Sequence, residues 1–169
     1  MASSPTGGIP EASISVPDAI LALRTFPRRF REALTAVPAD RLATVSDPAT
    51  PSVLDRAAWV RDLLTDLARA LPRVLDDPGV QLPDLGASEP RPGAAAATDL
   101  GEVLDGITTA ADAIASRAEL TPWEAWDRQF FTDGAEHPAS WVVQHATTAG
   151  AQQLREIERA AGELDDGDE

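Results

Sequence analysis

Residues 52–64 read SVLDRAAWVRDLL, and this stretch decides the fold. Val53, Leu54, Ala57, Val60, Leu64 and Leu67 return at the three-and-four spacing of one helical face, so the segment predicts an amphipathic helix with one side in a core. Trp59 sits beside that face. A large indole there is surplus to the seam, so it either fills space between helices or forms the wall of a site, because its flat ring and single N–H donor suit it to both.

Outward from this helix the same period recurs. Thr50-Pro51 supplies a start, with proline at the first helical position, and the helix is expected to run to about Val74, with Pro72 as an awkward residue near its end. Upstream, Ile20, Leu21, Leu23, Phe26, Phe30, Leu34 and Val37 form an apolar stripe interrupted by Pro27. Downstream, DDPGVQLPDLGASEPRPGAAAAT contains four prolines and three glycines. No period in it would pack, so it reads as a long crossover.

A third helix begins at Thr98 or Asp99, with Asp99 and Glu102 as a capping pair. It carries Leu100, Val103, Leu104, Ile107, Ala111 and Ile114 on one face. ELTPWEAWDRQFF then predicts a short helix bearing Trp123, and TDGAEHP a turn. The fourth helix is expected from Pro138 to about Leu164, with Val143, Thr147, Gly150, Leu154, Ile157 and Ala161 as its seam. With no convincing strand, the expected fold class is all-α: a four-helix bundle with a long crossover between helices two and three. Its boundaries are a disordered segment over 1–16, the bundle over 17–162 and an acidic tail over 163–169.

Composition narrows the functions. A chain of 169 residues with 43% hydrophobic content supports one domain with a sizeable core. The absence of cysteine excludes disulfides, thiolate metal sites and a cysteine nucleophile. A net charge of −14 repels phosphate backbones and anionic lipid, so neither nucleic acid nor membrane is an expected partner. The start lacks the basic and apolar regions of a secretory signal, and no segment has the roughly 18 apolar residues of a membrane span, so a cytoplasmic protein is expected. Every basic residue is arginine and alanine is abundant, the bias of a GC-rich, actinobacterial genome.

Candidate chemistry is sparse. There is no glycine-rich phosphate loop after a strand, no GxSxG elbow and no HExxH pair. Asp76-Asp77 and Asp165-Asp166 lie at a helix end and in the tail, where solvent keeps carboxylates ordinary. His137, before a proline, reads as a capping or loop residue. On a wheel of about 100° per residue, Trp141, His145, Thr148 and Gln152 form a stripe nearly opposite the apolar seam of helix four. Either Trp141 covers a neighbouring helix while the three polar residues face water, or the stripe lines a polar pocket.

PSVLDRAAWVRDLL, residues 51–64, resembles the second helix of the DinB-like four-helix bundles, the DinB/YfiT superfamily. The likeness is to the actinobacterial branch near the mycothiol-dependent transferases and maleylpyruvate isomerase, where the stretch reads like WSVLEYAAHVRDVL and its histidine is a metal ligand. TPWEAWDR followed by DGAEHPASWVVQHATTAGAQQLREI resembles that family's tryptophan-bearing turn, DGA-like turn and last helix ending in LHDAVHHLHDV. Helix order and crossover agree from about Pro17 to Ile157.

The resemblance implies a nickel or zinc ion, held by one histidine of helix two and two of helix four spaced by four, and mycothiol as co-substrate. The three matching positions here are Trp59, Thr148 and Gln152, none a usual ligand for such a metal. The expectation is therefore no metal and no cofactor, with Trp59 in the space of the ion and its first ligand. The chain would be a metal-free bundle that binds a small molecule or a protein partner, a second copy included, through Trp59, Trp141, Thr148 and Gln152, without thiol-transferase chemistry. The alternative is an enzyme on the same cavity. It would work either by acid/base catalysis through His145 or by the family's metal-dependent thiol transfer or isomerisation, with Asp55, Asp62 and Glu156 as the candidate donors.

Overall fold

The computed structural model describes residues 13–45, 47–85 and 88–166. Most of the expected N-terminal segment, and the last residues of the acidic tail, lie outside them. Four helices account for most of the chain: α1 (Val16–Thr35), α2 (Val53–Asp76), α3 (Leu100–Glu119) and α4 (Ser140–Asp166). α1 and α2 each pack against both α3 and α4 and scarcely touch one another, so consecutive helices one and two sit on a diagonal of the bundle. None of these helices is long and apolar enough to cross a membrane.

α1, α2 and α3 each start where a short polar side chain can satisfy free amides. Ser15 accepts from Asp18 N in α1, and Asp99 accepts from Glu102 N in α3. α2 begins at Ser52 rather than at Thr50-Pro51. The reason is a reciprocal box: the Ser52 hydroxyl accepts from Asp55 N at 3.1 Å while the Asp55 carboxylate accepts from Ser52 N at 2.9 Å. Pro27 and Pro72 are carried inside α1 and α2.

The core is built from the expected seams. Leu23, Phe26, Phe30 and Leu34 of α1 meet Leu64, Leu67 and Leu71 of α2, Ile107 and Ile114 of α3, and Leu154 and Ile157 of α4. Phe26 and Phe30 pack edge to face at 5.7 Å. Gly150 permits the approach of α4 to α1: a Cβ there would lie 2.4 Å from Phe26 Cε2. Leu21, expected in the stripe, is instead 65% exposed.

The structure adds a sheet that the sequence reading did not anticipate. β1 (Gln81–Leu82), inside the crossover, pairs in parallel with β2 (Gln129–Thr132), which pairs antiparallel with β3 (Ala135–Pro138). The tight connection Asp133-Gly134 has φ of 54° and 71° at its two residues, as a primed two-residue hairpin turn requires. TDGAEHP is thus a turn with a strand on each side. Phe130, fully buried, anchors β2 to the bundle, and His137 lies opposite it in β3. The segment bearing Trp123 is a 3-10 turn, Trp123–Asp127.

Candidate functional site: a cavity between α2, α4 and the crossover

The crossover lies over α2 because Asp55 holds it there. One turn of helix before Trp59, this carboxylate is 3% exposed. Beyond its capping bond it accepts from Gly93 N at 2.9 Å and from Ala95 N at 2.8 Å. Burial pushes the carboxyl pKa up, but the amides of Ala95, Ser52 and Gly93 outweigh it and hold the group below its ordinary range. By sequence Asp55 is a candidate metal donor. It is instead a buried pin whose oxygens are committed to backbone amides, which removes it as a metal donor.

Trp59 makes a second attachment, donating its indole N–H to the Ser88 carbonyl at 3.1 Å. The ring is half-buried and stands between two cavities that share Ser88 and Glu89 of the crossover. The smaller, about 210 Å³, lies toward Arg61 and Arg91. The larger, about 480 Å³, lies toward α4, where Trp59 and Arg56 face His145, Gln152, Gln153 and Glu156.

On α4 the residues facing that cavity therefore run 145, 149, 152, 153 and 156, one helical face. Of the residues singled out from sequence, the fold brings Trp59, His145 and Gln152 around one space. Thr148 is exposed and does not line it, and Trp141 sits behind His145 rather than in the wall. The indole of Trp141 stacks on His145 with ring centres 4.5 Å apart and planes 10° apart, and also meets His137 at 4.5 Å. His137 is thus part of an aromatic cluster with Phe130, rather than a free loop residue.

Burial, and then the charge of His137, push the His145 pKa down, opposed only by the Leu85 backbone, so the imidazole is neutral at pH 7. Its Nε2 is buried without a hydrogen-bond partner. Sequence reasoning missed Arg56 and Gln153, and the pinning role of Asp55. Arg56 donates to Gln153 Oε1 at 3.0 Å, and Gln153 is buried. The signal for Asp55 was present in Ser52-x-x-Asp55, and the signal for Arg56 was its place three residues before Trp59.

These side chains do not fit a three-histidine metal centre. Facing α2 and α4 residues supply an indole, one imidazole, two amides and a single carboxylate, Glu156, whose Oε2 is engaged by Arg159 at 2.6 Å while no partner among the described residues holds Oε1. Among the described residues no group of three or more histidine, aspartate or glutamate side chains is placed to hold a metal ion. Asp62 lines the smaller cavity, paired with Arg61 at 2.8 Å.

No protein-family model matches the sequence, and no curated protein matches it. Among solved structures the chain is similar to YfiT from Bacillus subtilis, described as a probable metal-dependent hydrolase with an unusual four-helix bundle topology. The match has a TM-score of 0.68 over 95% of this chain and 94% of that one, at 13% sequence identity. At that identity the likeness speaks for architecture alone: this chain has the YfiT-type four-helix bundle fold.

Proposed function

We propose that this chain is a DinB/YfiT superfamily protein that has lost the metal centre and uses the cavity between α2 and α4 to bind a small molecule, without thiol transfer. The observation that carries the reading is the wall of that cavity. An indole pinned to the crossover stands across from one neutral imidazole and amide side chains, around a space of about 480 Å³. Such a volume, with a flat apolar ring and a few convergent polar groups, is the ordinary form of a small-molecule site. The metal-dependent hydrolysis ascribed to YfiT is not carried over, because the donors for the ion are not supplied.

Calorimetric titration with Zn²⁺ and with Ni²⁺ tests this. The reading expects no one-to-one site with a Kd below about 1 μM. Stoichiometric uptake that disappears in His145→Ala would overturn it.

A second reading is favoured by the buried, unpartnered Nε2 of a neutral His145, fixed by its stack on Trp141. A neutral, oriented imidazole is what a general base requires, and the cavity would then be a metal-free active site. In that case His145→Ala abolishes turnover while ligand affinity stays. An activity that survives the substitution removes this version.

A further inference from the structure

Arg56 and Glu156 line the same cavity and feel one another's charge, yet they do not close on each other. Other arginines that have carboxylates within reach do close on them: Arg24 reaches Asp112 and Glu119 at 3.2 and 3.0 Å, and Arg159 reaches Glu156 and Glu163 at 2.6 and 2.7 Å. Arg56 is half-buried, makes no ion pair among the described residues, and is steadied by one hydrogen bond to the buried Gln153. Most of its five fork donors remain unspent. The Glu156 carboxylate of α4 and Glu89 of the crossover line the same cavity. A positive and a negative arm thus face one space, with the Trp59 ring between α2 and the crossover as its flat wall.

We propose that the ligand is an aromatic amino-acid zwitterion, its carboxylate on Arg56, its ammonium toward Glu156 and Glu89, and its ring against Trp59. This assignment rests on the ligand-binding reading of the cavity given above. Three further observations favour a zwitterion over a simple anion or cation. The net charge of −14 disfavours approach of a free anion but leaves a neutral zwitterion unaffected. Glu156 is held ionised, first by the hydrogen bond from Arg159 and, against a smaller effect of burial, by the charges of Arg159, Arg56 and Arg155. His145 is neutral and adds no competing cation. A simple cation would in turn be left facing the Arg56 guanidinium.

The probes are L-phenylalanine, its amide, which lacks the carboxylate, and its N-acetyl derivative, which lacks the ammonium. Binding is read by calorimetry and by the indole N–H resonance of Trp59, identified by its loss in Trp59→Phe. L-Phenylalanine is expected to bind at least about tenfold tighter than either derivative. Arg56→Gln should remove the preference over the amide and Glu156→Gln the preference over the N-acetyl compound, whereas Glu158→Gln, on an exposed carboxylate paired with Arg29, should change neither. Circular dichroism of each variant checks the fold. If the amide or the N-acetyl compound binds as well as the parent, the zwitterion is overturned while the cavity remains a ligand site. If none of the three moves the Trp59 resonance at about 10 mM, above the weakest affinities worth counting, the assignment is likewise overturned. The metal titration above then decides separately whether the cavity reading survives.

Discussion

Asp55 shows how one side chain can hold a site together without belonging to its chemistry. Its carboxylate caps α2 and holds Gly93 and Ala95 of the crossover. Asp55→Asn keeps the shape but presents an N–H to one of those amides, leaving a buried donor unsatisfied. Urea unfolding should show a loss of about 2–4 kcal/mol, the range for a broken charge-assisted network. Two glycines of α4 make a paired test. Gly150→Ala drives a methyl into the buried Phe26 ring and should cost about 1–3 kcal/mol. Gly162→Ala meets nothing within 4 Å, so it should gain about 0.5–1 kcal/mol from helix propensity alone. At this scale the sequence was legible where one helix period sufficed, as for Val60, Leu64 and Leu67. It was not legible at Thr148, because a wheel gives angles around an axis and not which neighbours cover which angles. The three-residue step from His145 to Thr148 leaves the cavity face, while the four- and seven-residue steps to Ala149 and Gln152 stay on it.

The helices were readable because each repeats its period over five or more turns, and the crossover because prolines and glycines break any period. The small sheet was hidden by its size. β1 has two residues and β2 and β3 four each, too short for alternation to register. One signal was available: Asp133-Gly134, a dipeptide that favours primed hairpin turns. The hairpin matters because it carries His137 against Trp141, and through it the stack that fixes His145. Gly134→Ala forces a side chain into φ of 71° and should cost about 1–2 kcal/mol. The near-UV circular dichroism of the tryptophans should weaken with it. An unchanged spectrum would mean that the stack is independent of the turn. The crossover is tied by a different bond: Trp59→Phe deletes the indole donor to Ser88 and should cost about 1 kcal/mol. Amide hydrogen exchange over residues 88–95 should accelerate.

For the molecule as a whole, pH joins the buried groups to stability. The folded pKa of His145 lies below its ordinary 6.5, so at and below that pH the unfolded chain holds the proton more readily. Stability is complete above about pH 6.5 and falls as pH drops toward the folded value. His145→Gln should flatten the slope of Tm against pH in that window. Asp55, also depressed, has the same sign in a lower window: its contribution is lost as pH falls below its ordinary 3.8. The exposed Asp133, raised first by its hydrogen bond with Asp84, acts in the opposite sense, favouring the fold as it protonates.

Architecture was the most legible feature at this scale, since four periodic segments and one unpackable crossover admit few arrangements. The ligand was the least legible. The facing of Arg56 and Glu156 depends on how α2 and α4 are set against each other, which no local pattern records. The function proposed above needs a YfiT-type bundle whose cavity serves organic ligands rather than a metal ion. A native mass spectrum of protein purified without chelator or a nickel column tests it most directly. The expected mass is that of the polypeptide alone or with an organic adduct that Trp59→Ala removes. A stoichiometric zinc or nickel adduct would contradict it.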